Sequence, residues 1–143
     1  MVNLNILLYN TFVRTKKSTF KLGLLDYRLF LTMDELEKIN KFSNAKGFYD
    51  IFIGSVCADE YSNLSTFHTL KNMTSKKISM RLINLLRHKY VSLIYCEKNE
   101  QLYYRLTNLG KVALSEYNGK KKKLLKKFVE QKEENIVEII NHR

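Results

Sequence analysis

Near residue 90 the hydrophobic spacing of this chain switches from helical to alternating, and no other feature restricts the fold as tightly. In residues 74–91, "TSKKISMRLINLLRHKYV", Ile78, Leu82, Leu85 and Leu86 fall on one arc of a 3.6-residue wheel. Immediately afterwards "YVSLIYC" alternates Val91, Leu93 and Tyr95, and "QLYYRL" alternates Leu102, Tyr104 and Leu106. Only the polar "EKNE" separates the two runs, so they read as a β-hairpin. An amphipathic helix that feeds directly into a short hairpin, amid otherwise helical patterning, makes the chain mainly α with a small β-hairpin, an α+β fold.

The same helix carries unusual charge. Residues 61–96 hold Lys71, Lys76, Lys77, Arg81, Arg87 and Lys89 and no Asp or Glu. Elsewhere the signs mix: residues 1–60 have eight basic and seven acidic side chains, and residues 97–118 have three of each. A general taste for lysine raises positive charge everywhere, but it does not strip the acids from one block. A segment of this kind reads as an electrostatic footprint for a polyanion. Opposite the apolar arc lie Lys76, Met80, Asn84 and Arg87, with Lys77, Arg81 and His88 at one edge and Ile83 at the other.

The rest of the chain supplies helices. "NLNILLYNTF" sets Leu4, Leu7, Leu8 and Phe12 on one helical face, while "STFKLGLLDYRLF" reads as strand or loop. Thr32 with Glu35 forms a capping box for a helix that buries Met33, Leu36, Ile39 and Phe42 and stops at Asn44–Gly47. A second helix starts near Phe48, with Ile51, Phe52 and Val56 inward, and a short helix follows through Leu70. Thr74 or Ser75 caps the basic helix. Thr107 caps "TNLGKVALSEY", and a lysine-rich helix runs from about Gly119 to Ile140.

Length and composition close off other classes. At 143 residues the chain fits one domain with a real core, and no apolar run is long enough to span a bilayer. The first residues lack a basic lead and a cleavage site, so the expected location is cytoplasmic. Two cysteines without a CxxC pair, Cys57 and Cys96, fit reducing conditions, and Cys57 reads as a small buried hydrophobe. The three histidines lack metal spacing. No phosphate-loop glycines, nucleophile elbow or carboxylate pair appears, so the expectation is no enzyme, no metal and no cofactor.

Short helix, turn, charged helix, hairpin, helix: this order resembles the winged helix-turn-helix. "TSKKISMRLINLLRHKYV" is similar to a recognition helix and its exit into the first wing strand. "LYYRLTNLGKVAL" contains Y-x-L-T-x-x-G, a pattern similar to the second wing strand and closing helix of MarR-like and PadR-like regulators. Unlike the MarR-like wing, the tip here carries Glu97 and Glu100 around Lys98 and no Asp-x-Arg element. The resemblance implies a winged domain at residues 48–117, flanked by dimerisation helices at residues 1–47 and a basic C-terminal helix at residues 118–143. It implies a homodimer that binds double-stranded DNA, as a transcriptional regulator or, alternatively, as a plasmid or phage maintenance protein on repeated sites. Leu7, Leu8, Ile136 and Ile140 are the expected dimer seam. The expected DNA-binding residues are Thr74, Ser75, Lys76, Lys77, Met80, Arg81, Asn84, Arg87 and Lys98. Thr74 and Ser75 would hold phosphate, the basic side chains phosphate or guanine, Asn84 adenine and Met80 a thymine methyl.

Overall fold

The computed structural model describes residues 20–141, with side chains as far as residue 131. The amphipathic stretch at Leu4, Leu7, Leu8 and Phe12 lies outside the described residues. The described fold is α+β, mainly helical, with one two-stranded antiparallel hairpin. None of its helices is long and apolar enough to cross a membrane.

Helix α1 spans Leu24–Lys38 and buries Leu29, Phe30, Met33 and Leu36. It takes up most of the segment expected to be strand or loop, because those four residues continue one 3.6-residue stripe back through "DYRLF". It begins at Gly23, whose N–H donates to Asp26 Oδ2 at 2.7 Å. Thr32 therefore sits in the helix interior and caps nothing. Its hydroxyl reaches Arg28 O at 2.7 Å and the Thr66 hydroxyl at 2.6 Å, and both threonines are buried. Ile39, expected inside, is the exposed C-terminal cap, and the chain leaves through Asn40 in the left-handed region at φ 58°.

Helix α2 spans Ala45–Ile53. Asn44 is its N-cap, accepting from Gly47 N–H at 2.9 Å, so the residues expected to end the preceding helix start this one. Phe48, Ile51 and Phe52 point inward, but the helix stops at Gly54, φ 72°, before reaching Val56. A 3₁₀ helix at Val56–Tyr61 follows, with Val56 and Cys57 exposed and Ala58 buried instead. The short helix expected through Leu70 is a series of turns. These turns are pinned to α2 by bonds from His68 N–H to Ile51 O at 2.8 Å and from Leu70 N–H to Phe52 O at 3.0 Å.

Helix α3 spans Ser75–Arg87 and buries Ile78, Leu82 and Leu85. The hairpin pairs β1, Val91–Cys96, with β2, Gln101–Leu106, in the register Val91↔Leu106 to Cys96↔Gln101. On its far side β2 is bridged by Ser43, whose carbonyl accepts from Tyr104 N–H at 2.9 Å. The chain between α1 and α2 thus adds a rudimentary third strand.

The Y-x-L-T-x-x-G run has a physical basis at this junction. Leu106 is buried, and the Thr107 hydroxyl lies within hydrogen-bond distance of the carbonyls of Lys89 (2.6 Å) and Tyr90 (2.9 Å). The same hydroxyl accepts from Gly110 N–H at 3.2 Å. A Cβ on Gly110 would lie 2.4 Å from Tyr90 O, so the turn of helix that follows packs against the hairpin only if that residue is glycine.

Helix α4 runs without a break from Asn108 to Asn141, joining the two helices expected there. Gly119 lies inside it at a position where a Cβ would meet nothing within 4 Å, and glycine there costs the helix about 1 kcal/mol. Ala113 and Leu114 are buried and Tyr117 stacks on Tyr27 of α1 with centroids 4.0 Å apart. From Asn118 to Gln131 every residue is exposed. The boundary expected at residue 47 cuts through a core. Leu29, Phe30, Met33 and Leu36 share one core with Phe48, Ile51, Phe52, Ile78, Leu82, Leu85, Val91 and Leu106. Helix α1 is therefore part of the domain and not a flanking element. Each fully buried Leu, Ile or Phe of that cluster contributes about 1.5–3 kcal/mol, which is why α1 cannot be detached without unfolding the rest.

Candidate nucleic-acid interface

Thr74 caps α3, its hydroxyl accepting from Lys77 N–H at 3.3 Å. Thr74, Ser75, Lys76 and Lys77 are all exposed around this helix start, where the macrodipole is positive and no acidic side chain occupies the first turn. Further along the outward face Met80 is 57% exposed, Asn84 is half-buried and Arg87 is exposed. Lys71 precedes the helix and Lys89 follows it, both exposed. Among the described residues no ion pair joins Lys71, Lys76, Lys77, Arg87 or Lys89 to a carboxylate. The structure thus brings Thr74, Ser75, Lys76, Lys77, Met80, Asn84 and Arg87 onto one continuous surface.

Arg81 is the correction. It turns away from that surface to Asp26 of α1, donating from Nε to Oδ1 and from Nη2 to Oδ2 at 2.6 Å. A second Nη2 bond reaches Lys21 O at 3.1 Å, and the guanidinium lies over the Phe20 ring, 4.6 Å from its centroid. The Asp26 side chain is 1% exposed and that of Arg81 27%, so the pair is a clip between α1 and α3. The hydrogen bond to Asp26 raises the Arg81 pKa above its usual value. Nothing near either residue in the sequence signals this, since the partners are 55 positions apart.

Ile83, which the wheel sets at the edge of the outward arc, belongs to the exposed surface. It is 44% exposed between Met80 and Arg87, one turn from each. At the hairpin tip Lys98 is exposed between exposed Glu97 and Glu100, and Asn99 donates to the Tyr103 hydroxyl at 2.6 Å. The tip, with two glutamates to one lysine, differs from the α3 surface in sign. Among the described residues no group of three His, Cys, Asp or Glu side chains is placed to hold a metal ion.

His88 borders this surface, its ring stacked on Phe20 with centroids 3.8 Å apart. Burial, then the charges of Arg81 and Arg87, lower its pKa from 6.5. In the window between that lowered value and 6.5 the unfolded chain binds more protons, so stability rises with pH there and falls as the solution is acidified below about 6.5. Urea midpoints measured at about pH 7.5 and about pH 5.5 should show this loss in the wild type, and His88→Phe should reduce it. An undiminished difference in the variant would assign the acid sensitivity to other groups.

Neither the family models nor the curated proteins compared with this chain match it.

Proposed function

We propose that the chain is a winged-helix protein that binds double-stranded DNA as a homodimer, with α3 as the recognition helix and transcriptional regulation as its role. The observation that carries this reading is the acid-free outward face of α3, with its capped N-terminus and its run from Lys76 to Arg87. Supporting it, α1, α2, α3 and the hairpin follow one another in the winged-helix order. Ser43, between α1 and α2, bridges Tyr104 of β2 and ties that connection to the hairpin. Lys76, Lys77 and Arg87 neutralise phosphates and the Thr74–Ser75 helix start receives one. Met80 and Ile83 offer apolar contact to thymine methyl groups, and Asn84 pairs with an adenine edge. Arg81 has no part in reading DNA, since its fork is held by Asp26. Lys98 sits between two glutamates and contributes little to phosphate binding, which leaves α3 as the main contact.

Asn84→Ala tests the reading head. It removes no charge, so it should weaken binding to a preferred duplex by about 1–3 kcal/mol and relax preference at one base position, with little change on a scrambled duplex. Selection of the preferred site from a random pool comes first, followed by titration of both duplexes. Equal weakening on both, or no duplex binding by the wild type at low salt, would refute the assignment.

A further inference from the structure

We infer that the outer edge of β1 is an interface between two copies of this chain, which pair their β1 strands antiparallel about Leu93 into one four-stranded sheet. The inference supplies a surface for the homodimer of the reading above and is tested without DNA, so DNA binding stands or falls separately. Three observations carry it. The first is that the edge is open. Tyr104 N–H donates to Ser43 O, away from β1, so its register partner Leu93 turns its own N–H and C=O away from β2. Thr107 N–H donates to Tyr90 O, which fixes the same alternation from the other end of the hairpin. The N–H and C=O of Leu93 and Tyr95 therefore point out from the sheet, and among the described residues these four groups make no hydrogen bond.

The second is that nothing in β1 protects this edge. Edge strands are normally blunted by charge, proline, a bulge or a cover. Tyr90 to Cys96, "YVSLIYC", contains no charge, proline or glycine, and the register of β1 with β2 is unbroken. Leu93, Tyr95 and Leu102 are 41%, 57% and 52% exposed on one face of the hairpin, continuous with buried Val91 and Leu106. An apolar strip beside unpaired backbone groups is a template for another strand. The third is what fits that template. With the two-fold axis at Leu93, Leu93 meets Leu93 and Val91 meets Tyr95 on both sides, so every outward residue of the strand is paired. The same register sets Lys89 of each copy beside Glu97 of the other, and these are the first charges on either side of the strand, both exposed. Moving the axis to Ile94 or Tyr95 sets Glu97 against Val91 or Leu93, and moving it to Ser92 or Val91 sets Lys89 against Tyr95 or Leu93. Charge and strand length therefore select one self-complementary register, which is what a two-fold dimer requires.

A contact of one strand pair is small, so the dissociation constant should be in the micromolar range. Sedimentation equilibrium of the full chain without DNA, at up to about 1 mM, should show a monomer–dimer equilibrium with a 17.0 kDa protomer. Leu93→Pro removes a donor from the outer edge alone and should abolish pairing while the hairpin stays formed. Lys89→Glu and Glu97→Lys should each raise the dissociation constant about tenfold, because two like-charged pairs replace two opposite ones. An equimolar mixture of these two variants should recover association. Lys89, Leu93 and Glu97 are exposed, so circular dichroism and urea midpoints should match the wild type, and the charge variants decide the matter should the proline disturb the hairpin. With Cys57 and Cys96 changed to serine, Leu93→Cys should form an intermolecular disulfide on oxidation, since the Cα atoms of a hydrogen-bonded pair lie about 5.5 Å apart. Lys98→Cys, exposed but far from the axis, should not. A chain that stays monomeric throughout overturns the inference together with the homodimer. A dimer that Leu93→Pro and the charge variants leave intact overturns the inference and moves the homodimer to another surface. Failure of the mixture to recover association overturns the register.

Discussion

Arg81→Ala is expected to destabilise the protein by about 3 kcal/mol. Truncation leaves the Asp26 carboxylate, 1% exposed, with the Gly23 N–H as its only hydrogen-bond partner among the described residues. Breaking a buried pair from one side typically costs about 3–5 kcal/mol because the remaining charge is stranded away from water. Arg81 is about a quarter exposed, which places the expectation toward the low end. Removing both partners is a different experiment. Asp26→Leu with Arg81→Met strands no charge and should recover much of the lost stability, since apolar replacement of a buried pair is often neutral. Urea unfolding of the wild type, the two single variants and the double variant measures the coupling directly. A loss below about 1 kcal/mol for Arg81→Ala would mean that water reaches Asp26 and that the clip is loose. The same variant checks the reassignment of Arg81. A phosphate contact would flatten the salt dependence of DNA binding and leave the unfolding midpoint alone, whereas a clip moves the midpoint.

Duplex binding should fall steeply with salt. Each phosphate neutralised contributes about −0.9 to the slope of log affinity against log salt. Lys71, Lys76, Lys77, Arg87 and Lys89 are exposed and unpaired with acids among the described residues, and Lys120–Lys123 add a second exposed cluster. If part of this set engages in each subunit, a dimer should show a slope of roughly −4 to −8, which is about 10²- to 10⁵-fold in affinity between 50 and 200 mM salt. Changing Lys120, Lys121, Lys122 and Lys123 to Gln should lower affinity for every duplex alike and flatten the slope while leaving sequence preference intact, because these side chains lie off the recognition face. Fluorescence anisotropy at several salt concentrations gives both numbers. A slope near zero would remove DNA from the list of partners, and an altered sequence preference in the lysine variant would move the reading head from α3 to α4.

Local periodicity sufficed for some of this structure. The buried arc of α3, the hairpin and its short polar turn, and a cap at Thr74 or Ser75 were all legible because each is fixed by residues within one or two turns of one another; the structure gives the cap to Thr74. The exposed face of α3 was legible for the same reason: a helix that buries Ile78, Leu82 and Leu85 must turn Lys76, Met80 and Arg87 to solvent. The start of α1 was misread because "STFKLGLLDYRLF" has no strong local cap signal, and Thr32 with Glu35 imitated one. Packing settled it, since Leu29 and Phe30 are fully buried in the one core they share with α2, α3 and the hairpin. Val56 and Cys57 were misread in the same way, as helix periodicity was extrapolated past Gly54, whose left-handed backbone ends α2.

By itself the sequence determined the amphipathic helix, the hairpin after it and the acid-free block, because periodicity and charge are properties of neighbours along the chain. Only the tertiary structure decided which of those charges stay free. Arg81 looks no different from Arg87 in sequence, yet one is bound to Asp26 and the other is exposed. The distinction rests on a carboxylate 55 residues away that α1 carries into the core, where the low dielectric makes an unpaired charge too costly to leave.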